Sequence, residues 1–154
     1  MLRDERLALL SDLLRQVHAL ARHYRACAEL MPDRATAALM QRLSSRREGL
    51  AARLGHHARA LGDLPDAEDP EREWIRELGE RLRVRLVDAG AAALLRERVA
   101  EEDRLAALAH AALQQPLPEA VRSTLRSARD DARSVAARLR HRQSAGSRRD
   151  RPRC

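Results

Sequence analysis

The sequence is almost without aromatic residues, because it has one Trp, one Tyr and no Phe, or 1 % in all. A hydrophobic core in this chain must therefore obtain its stability from many Leu and Ala contacts. With six Gly and six Pro in 154 residues, the chain also lacks the turn residues that an all-β fold needs. No apolar run approaches the ~20 residues that cross a bilayer, so we predict no membrane span.

Cysteine is also scarce. Cys27 and Cys154 are the only two cysteines, and two cysteines in a chain of this length do not form a disulfide framework. Cys27 falls on an apolar helix face, where a free thiol behaves as a small hydrophobic group. Residues 1–6, MLRDER, are charged, which argues against a secretory signal. We therefore expect a reduced, cytoplasmic protein.

Lysine is absent, so Arg supplies all of the basic side chains, and the net charge is +7. The charge is unevenly distributed: residues 138–154 contain seven Arg and one Asp, or +6. The rest of the chain is therefore nearly neutral. Nucleic-acid recognition requires a basic patch on the folded surface, so the high isoelectric point does not by itself indicate it.

What the chain does contain is helical periodicity. Apolar residues recur at alternating steps of three and four along several long segments, which is typical of amphipathic helices. We predict helices over residues 3–31, 33–61, 71–87, 91–114 and 118–141. The segment RLRVRLV within the third of these also alternates like a strand, but no partner strand is present elsewhere, so we interpret it as helix.

The connections between these helices predict the fold class. Tight joins at Pro32 and at residues 115–118 make two antiparallel helical hairpins. The join between the hairpins is long and contains the short helix 71–87, as in ferritin-like bundles. We expect an all-α, ferritin-like up-down four-helix bundle over residues 1–142, followed by a disordered, Arg-rich tail over residues 143–154.

Four segments resemble a family of uncharacterised bacterial ferritin-like four-helix-bundle proteins, a domain of unknown function whose third helix carries an acidic, Glu-rich motif. The resemblance lies in the order and spacing of Ser11–Leu14, Tyr24–Glu29, Arg96–Asp103 and Leu117–Arg122, within residues 10–142. It implies the ferritin-like fold. It implies no defined biochemical role, because the role of that family is itself poorly defined.

The residues depart from a ferritin-like metal site. Such sites take one carboxylate from each of two helices and a Glu-x-x-His motif from each of the other two, and this sequence contains no Glu-x-x-His. Only Glu102 lies on a core stripe, where it matches the acidic motif. Glu102, Glu48 and His57 are weak metal candidates, but we expect no metal and no cofactor. For Glu102 we favour a boundary position in which it pairs with an Arg of a neighbouring helix.

The function predicted from these features is non-enzymatic. No nucleophile motif and no phosphate-binding Gly-rich loop is present, so we predict no catalytic residue. Four strong helical stripes without metal ligands favour a structural or protein-interaction module. The apolar residues Leu13, Leu20 and Cys27 broaden the core face of the first helix, which favours a homo-oligomer or another protein partner.

Two alternatives belong to other functional classes. One is a metal-binding, oxidative-stress protein that uses Glu102, Glu48 and a His. The other is a nucleic-acid-associated protein that uses the tail. Its weak candidates for anion contact are Arg148, Arg149, Arg151 and Arg153. No aromatic residue lies among these Arg residues to stack on bases, so a solubilising tail is the simpler interpretation.

Overall fold

The computed structural model describes residues 4–62 and 72–149, and within these residues the chain is all-α with five helices and no strand. The helices are α1 (Glu5–Leu30), α2 (Arg34–Ala60), α3 (Arg72–Ala89), α4 (Ala91–Leu113) and α5 (Glu119–Arg149). The predicted all-α class is confirmed, and the alternating RLRVRLV segment is helical. No described helix has the length and apolar character needed to cross a membrane.

Aspartate side chains cap the N-termini of α1 and α2. The Asp4 carboxylate accepts from the backbone N–H of Arg6 at 3.1 Å, and the Asp33 carboxylate accepts from that of Thr36 at 3.0 Å. Each Asp satisfies an N–H group that has no partner within its helix. Between α1 and α2 the chain turns at Pro32, which cannot donate a backbone hydrogen bond. This short connection makes α1 and α2 antiparallel neighbours.

Gly90 separates α3 from α4. It has a φ of +83°, a conformation that residues with a Cβ rarely adopt, and so the helix direction changes at this residue. α4 and α5 then form a second antiparallel pair, joined by residues 114–118. The predicted helix boundaries agree with the structure to within two residues for α1 to α4.

The two pairs lie side by side, α1 against α4 and α2 against α5. His23 bonds Glu101, and Cys27, one turn later on α1, contacts Arg98, one turn earlier on α4. These contacts make α1 antiparallel to α4. α2 is likewise antiparallel to α5, because Thr36 contacts Arg142 at one end of the pair and His57 contacts Thr124 at the other.

This arrangement requires the segment between α2 and α4 to return along the length of the helices. Helix α3 lies in that segment and packs on α1 and α4. Among its described side chains, Leu78 and Leu82 are buried. The Arg22 guanidinium of α1 lies over the Trp74 ring, 5.0 Å from the ring centroid. Helix α1 is therefore covered by three other helices.

The core consists mainly of Leu and Ala, as the composition predicts. Leu13, Leu20 and Cys27 are fully buried inside the single chain. The broad apolar face of α1 is thus accounted for by the packing of other helices on it, without a second copy. Burial of a Leu side chain contributes about 1.5–3 kcal/mol, so many such contacts replace the missing aromatic residues.

Helix α5 differs most from the prediction. It continues through Gln143 and Gly146 to Arg149, where we predicted an end at residue 141 and a disordered tail. The Ser144 hydroxyl donates to the Arg140 carbonyl, one turn earlier, at 3.1 Å. A single Gly weakens a helix by about 1 kcal/mol without ending it. The rest of the predicted tail, residues 150–154, lies outside the described residues.

Candidate functional site

The most unusual feature of the interior is a buried ion pair between α2 and α4. The Arg47 and Glu102 side chains are 1 % and 0 % exposed. Arg47 donates from Nε to one Glu102 carboxylate oxygen at 3.0 Å and from Nη2 to the other at 2.8 Å. This parallel, two-bond geometry is the strongest form of Arg–carboxylate pairing, and it engages both oxygens of the carboxylate.

The other two helices that enclose the core complete this cluster. The Tyr24 hydroxyl of α1 donates to Glu102 Oε1 at 2.7 Å, and Asp131 of α5 accepts from Arg47 Nη1 at 2.8 Å. Arg46 approaches the second oxygen of Asp131 at 3.4 Å. We name Tyr24, Arg47, Glu102 and the partly exposed Asp131 the buried polar centre. Each of α1, α2, α4 and α5 contributes one of its side chains.

Burial and charge act against each other in the buried polar centre. Burial raises the pKa of Glu102 above its ordinary value, and the Arg47 charge and the hydrogen bonds from Arg47 and Tyr24 offset part of that rise. Burial lowers the pKa of Arg47, but the nearby Glu102 and Asp131 carboxylates outweigh it, so the pKa is raised. Burial and the neighbouring Glu102 charge raise the pKa of Tyr24, which therefore remains a hydrogen-bond donor.

A second polar layer lies beside the first on α1 and α4. Arg98 is 3 % exposed. Its Nη2 forms an ion pair with a Glu101 carboxylate oxygen at 2.6 Å, and its Nη1 donates to the Cys27 sulfur at 3.3 Å. The His23 ring nitrogen Nδ1 lies 2.9 Å from both Glu101 oxygens. Burial raises the pKa of the Cys27 thiol, although Arg98 opposes it. Among the described residues, Arg98 Nε is the one buried side-chain nitrogen or oxygen without a partner.

The three weak metal candidates do not come together. Glu102 lies in the buried polar centre, and the exposed Glu48 lies on the rim of a separate cavity of about 280 Å³ between α1 and α3. The His57 ring nitrogen Nε2 forms a hydrogen bond with the Thr124 hydroxyl oxygen at 3.0 Å. Burial, then the neighbouring His56 and Arg53 charges, lowers the pKa of His57. No cluster of three His, Cys, Asp or Glu side chains suited to a metal occurs in the described ranges.

The structure pairs Glu102 with an Arg of a neighbouring helix, as the favoured interpretation predicts. The prediction that Glu102 lies at the boundary of the core is wrong. It is completely buried, because the ion pair and the Tyr24 hydroxyl replace the water that the carboxylate loses. The residues also do not fit the di-iron centre of ferritin-like proteins. The space between the Glu102 and Asp131 carboxylates is filled by the Arg47 guanidinium, a permanent cation.

Arg47, Tyr24 and Asp131 are the members of the buried polar centre that sequence reasoning missed. Arg47 lies between Leu43 and Leu50 at the helical spacing of the α2 core stripe, which is the one signal that could have identified it. A charged residue is normally assigned to the surface, since Arg is seldom fully buried without a partner. Tyr24 lies three residues after the buried Ala21 on the apolar stripe of α1, but the partner of its hydroxyl depends on the packing of α4.

Two of the four candidate anion contacts lie at the far end of α5. Arg148 is exposed on the last turn of this helix, and Arg149 is its final residue. Arg151 and Arg153 lie outside the described residues. Comparison of the chain with protein-family models, with curated proteins and with solved structures gives no match. The candidate site is therefore interpreted from its own geometry.

Proposed function

We propose that this protein is a non-enzymatic, ferritin-like four-helix bundle, formed by α1, α2, α4 and α5, that acts as a structural or protein-interaction module. The antiparallel packing of neighbouring helices and the long return segment that carries α3 support the ferritin-like connectivity. The observation that carries the proposal is the Arg47 guanidinium, which satisfies both buried oxygens of Glu102.

A buried, fully paired Arg favours a structural role for the carboxylates around it. Removal of one partner from such a pair costs about 3–5 kcal/mol, because the other charge is left buried and unpaired. A metal ion would have to displace the guanidinium to reach Glu102. The buried polar centre also joins all four helices, so it favours one helix register over others.

Elemental analysis tests the structural role. The protein is expressed with added iron and manganese, purified without a metal-binding tag and compared with a Glu102→Ala variant. We expect far less than one metal ion per chain in both proteins. Near-stoichiometric metal in the wild type that falls in the variant would instead support the metal-binding, oxidative-stress alternative.

As an interaction module, the protein binds a second copy of itself through α3. Among the described residues, the large hydrophobic side chains that are exposed are Ile75, Val84 and Val87, at 45 %, 59 % and 79 %, and all three lie on α3. Val84 and Val87 are three residues apart and are therefore neighbours on one face of α3. An exposed apolar patch is typical of a contact surface, and identical copies most often associate through the same surface on each.

Light scattering over a range of protein concentrations tests this contact. We expect a dimer that Val87→Asp weakens, because a carboxylate would then be buried between the copies. Ala137→Asp introduces the same charge at an exposed position of α5 and is expected to leave the dimer intact. A wild-type protein that remains monomeric at high concentration contradicts the homo-oligomer.

A further inference from the structure

A second cavity, of about 640 Å³, opens at one end of the molecule. Three places in the chain meet there: the turn between α1 and α2, the junction of α3 and α4, and the last turns of α5. We name it the end cavity. Its volume lies within the range of about 300–1,000 Å³ that is typical of small-molecule sites.

Basic side chains dominate the charge of the end cavity. Arg138, His141 and Arg142 line it from one face of α5, because residues three and four apart on a helix are neighbours. Asp33 is the one acidic residue among the described residues that line the cavity, and its carboxylate is engaged by the backbone N–H of Thr36 at 3.0 Å. The end cavity therefore favours an anion.

The hydrogen-bond donors of this face are largely free. Within the described residues, Arg138 and His141 take part in no hydrogen bond or ion pair. Arg142 is positioned by the Thr36 hydroxyl at 3.2 Å and lies 4.0 Å from Asp33. The arrangement contrasts with Arg47, whose nitrogens are all engaged by carboxylates.

The opposite wall adds amide donors and an apolar surface. α4 begins there after Gly90 without a side-chain cap. The Ala93 N–H donates to the Gly90 carbonyl at 3.2 Å, so the backbone N–H groups of Ala91 and Ala92 are the ones available to an acceptor. The apolar side chains of Met31 and Leu95 line the same cavity. An occupant that satisfies all of these groups has several anionic oxygens at one end and an apolar body at the other.

We propose that the end cavity binds a small organic phosphate, with the phosphate group on Arg138, His141 and Arg142 and the organic body against Met31 and Leu95. Arg binds phosphate through parallel hydrogen bonds as well as through its charge. This inference does not depend on the proposed function, because neither the buried polar centre nor the exposed apolar residues of α3 line the end cavity.

Isothermal titration calorimetry of the full chain tests the proposal with phenyl phosphate, inorganic phosphate and benzyl alcohol as probes. We expect phenyl phosphate to bind more tightly than inorganic phosphate, and benzyl alcohol not to bind. Arg138→Gln is expected to weaken phenyl phosphate binding about tenfold, since it removes hydrogen bonds to a charged group. Arg133→Gln makes the same change at an exposed position of α5 outside the cavity and should leave the affinity unchanged.

Ala92→Asp separates loss of binding from loss of folding. A carboxylate in the first turn of α4 is favourable for that helix, so the melting temperature should hold or rise while the affinity for phenyl phosphate falls. Three results would overturn the proposal. They are the absence of saturable binding at millimolar phenyl phosphate, an equal loss in Arg133→Gln and Arg138→Gln, and displacement of the probe by a short DNA duplex, which would assign this face to nucleic acid.

Discussion

The buried polar centre and the end cavity use the same residue type under opposite conditions. Arg47 is 1 % exposed and donates to carboxylates from all three nitrogens. Arg138 is exposed on the wall of the end cavity and has no partner among the described residues. The difference shows that a buried Arg side chain needs carboxylate partners to offset the loss of water around its charge, whereas an Arg at the surface keeps its donors free for a ligand.

The largest effect expected is on the buried polar centre. Glu102→Ala leaves the Arg47 charge buried with only Asp131 to pair it, so we expect the free energy of unfolding to fall by about 3–5 kcal/mol in urea titrations. Glu48→Ala removes the same side chain from an exposed position and should change it by less than about 0.5 kcal/mol.

The double variant Arg47→Met/Glu102→Leu sharpens this result. Apolar residues of similar volume remove both charges together, and such replacements are often neutral or stabilising. We expect most of the loss in Glu102→Ala to be recovered. If Glu102→Ala lowers the free energy of unfolding by less than about 1 kcal/mol, the buried polar centre does not stabilise the packing of the helices. That result would contradict its structural role.

A smaller effect is expected when one hydrogen bond of the buried polar centre is removed. Tyr24→Phe deletes the hydroxyl that donates to Glu102 at 2.7 Å but leaves both Arg47 bonds to that carboxylate. Because a hydrogen bond to a charged group contributes about 1.5–3 kcal/mol, we expect a loss in that range by urea titration. A neutral result would mean that the two Arg47 bonds alone satisfy Glu102.

At the end cavity the expected effects are smaller, because water competes for every group. Asp33→Ala removes the cap of α2, and we expect a decrease of a few degrees in melting temperature. The hydrogen bonds from Thr36 hold the pKa of Asp33 below its ordinary value. The stability that this carboxylate contributes is therefore present above about pH 4 and lost as the pH falls below it.

A melting series at several pH values checks this prediction. The difference in melting temperature between wild type and Asp33→Ala should be full near pH 6 and should shrink as Asp33 becomes protonated. Asp130→Ala removes a carboxylate that is exposed on α5 and serves as the control. A difference that stays constant down to pH 3 would show that the cap does not act through its charge.

The smallest effect is expected in the part of α5 that passes the end cavity. Gly146 lies within this helix, and a Cβ at this position would contact nothing within 4 Å. Gly146→Ala should therefore stabilise the last turns by up to about 1 kcal/mol locally, seen as slower amide hydrogen exchange at residues 143–148. Unchanged exchange there would indicate that these turns do not open independently of the rest of α5.

Much of the architecture follows from local sequence signals. The spacing of Leu and Ala in α1, α2, α4 and α5 predicts each helix, and Pro32 and Gly90 predict where the direction changes. The predicted end of α5 is wrong, because Ser and Gly in residues 143–149 are weak helix formers rather than helix terminators. The Ser-, Gly- and Arg-rich composition of this segment predicts disorder, but no Pro interrupts α5 before residue 152.

By itself the sequence determined the helices, the lengths of α1 to α4 and the apolar faces that they bury, because periodicity and caps act within a few residues along one segment. Only the tertiary structure decided which charged residues are buried. Glu102 and Arg47 are 55 positions apart, and the favourable pairing that offsets their desolvation exists only once α2 and α4 are in contact. The same holds for the end cavity, whose walls come from three separate parts of the chain.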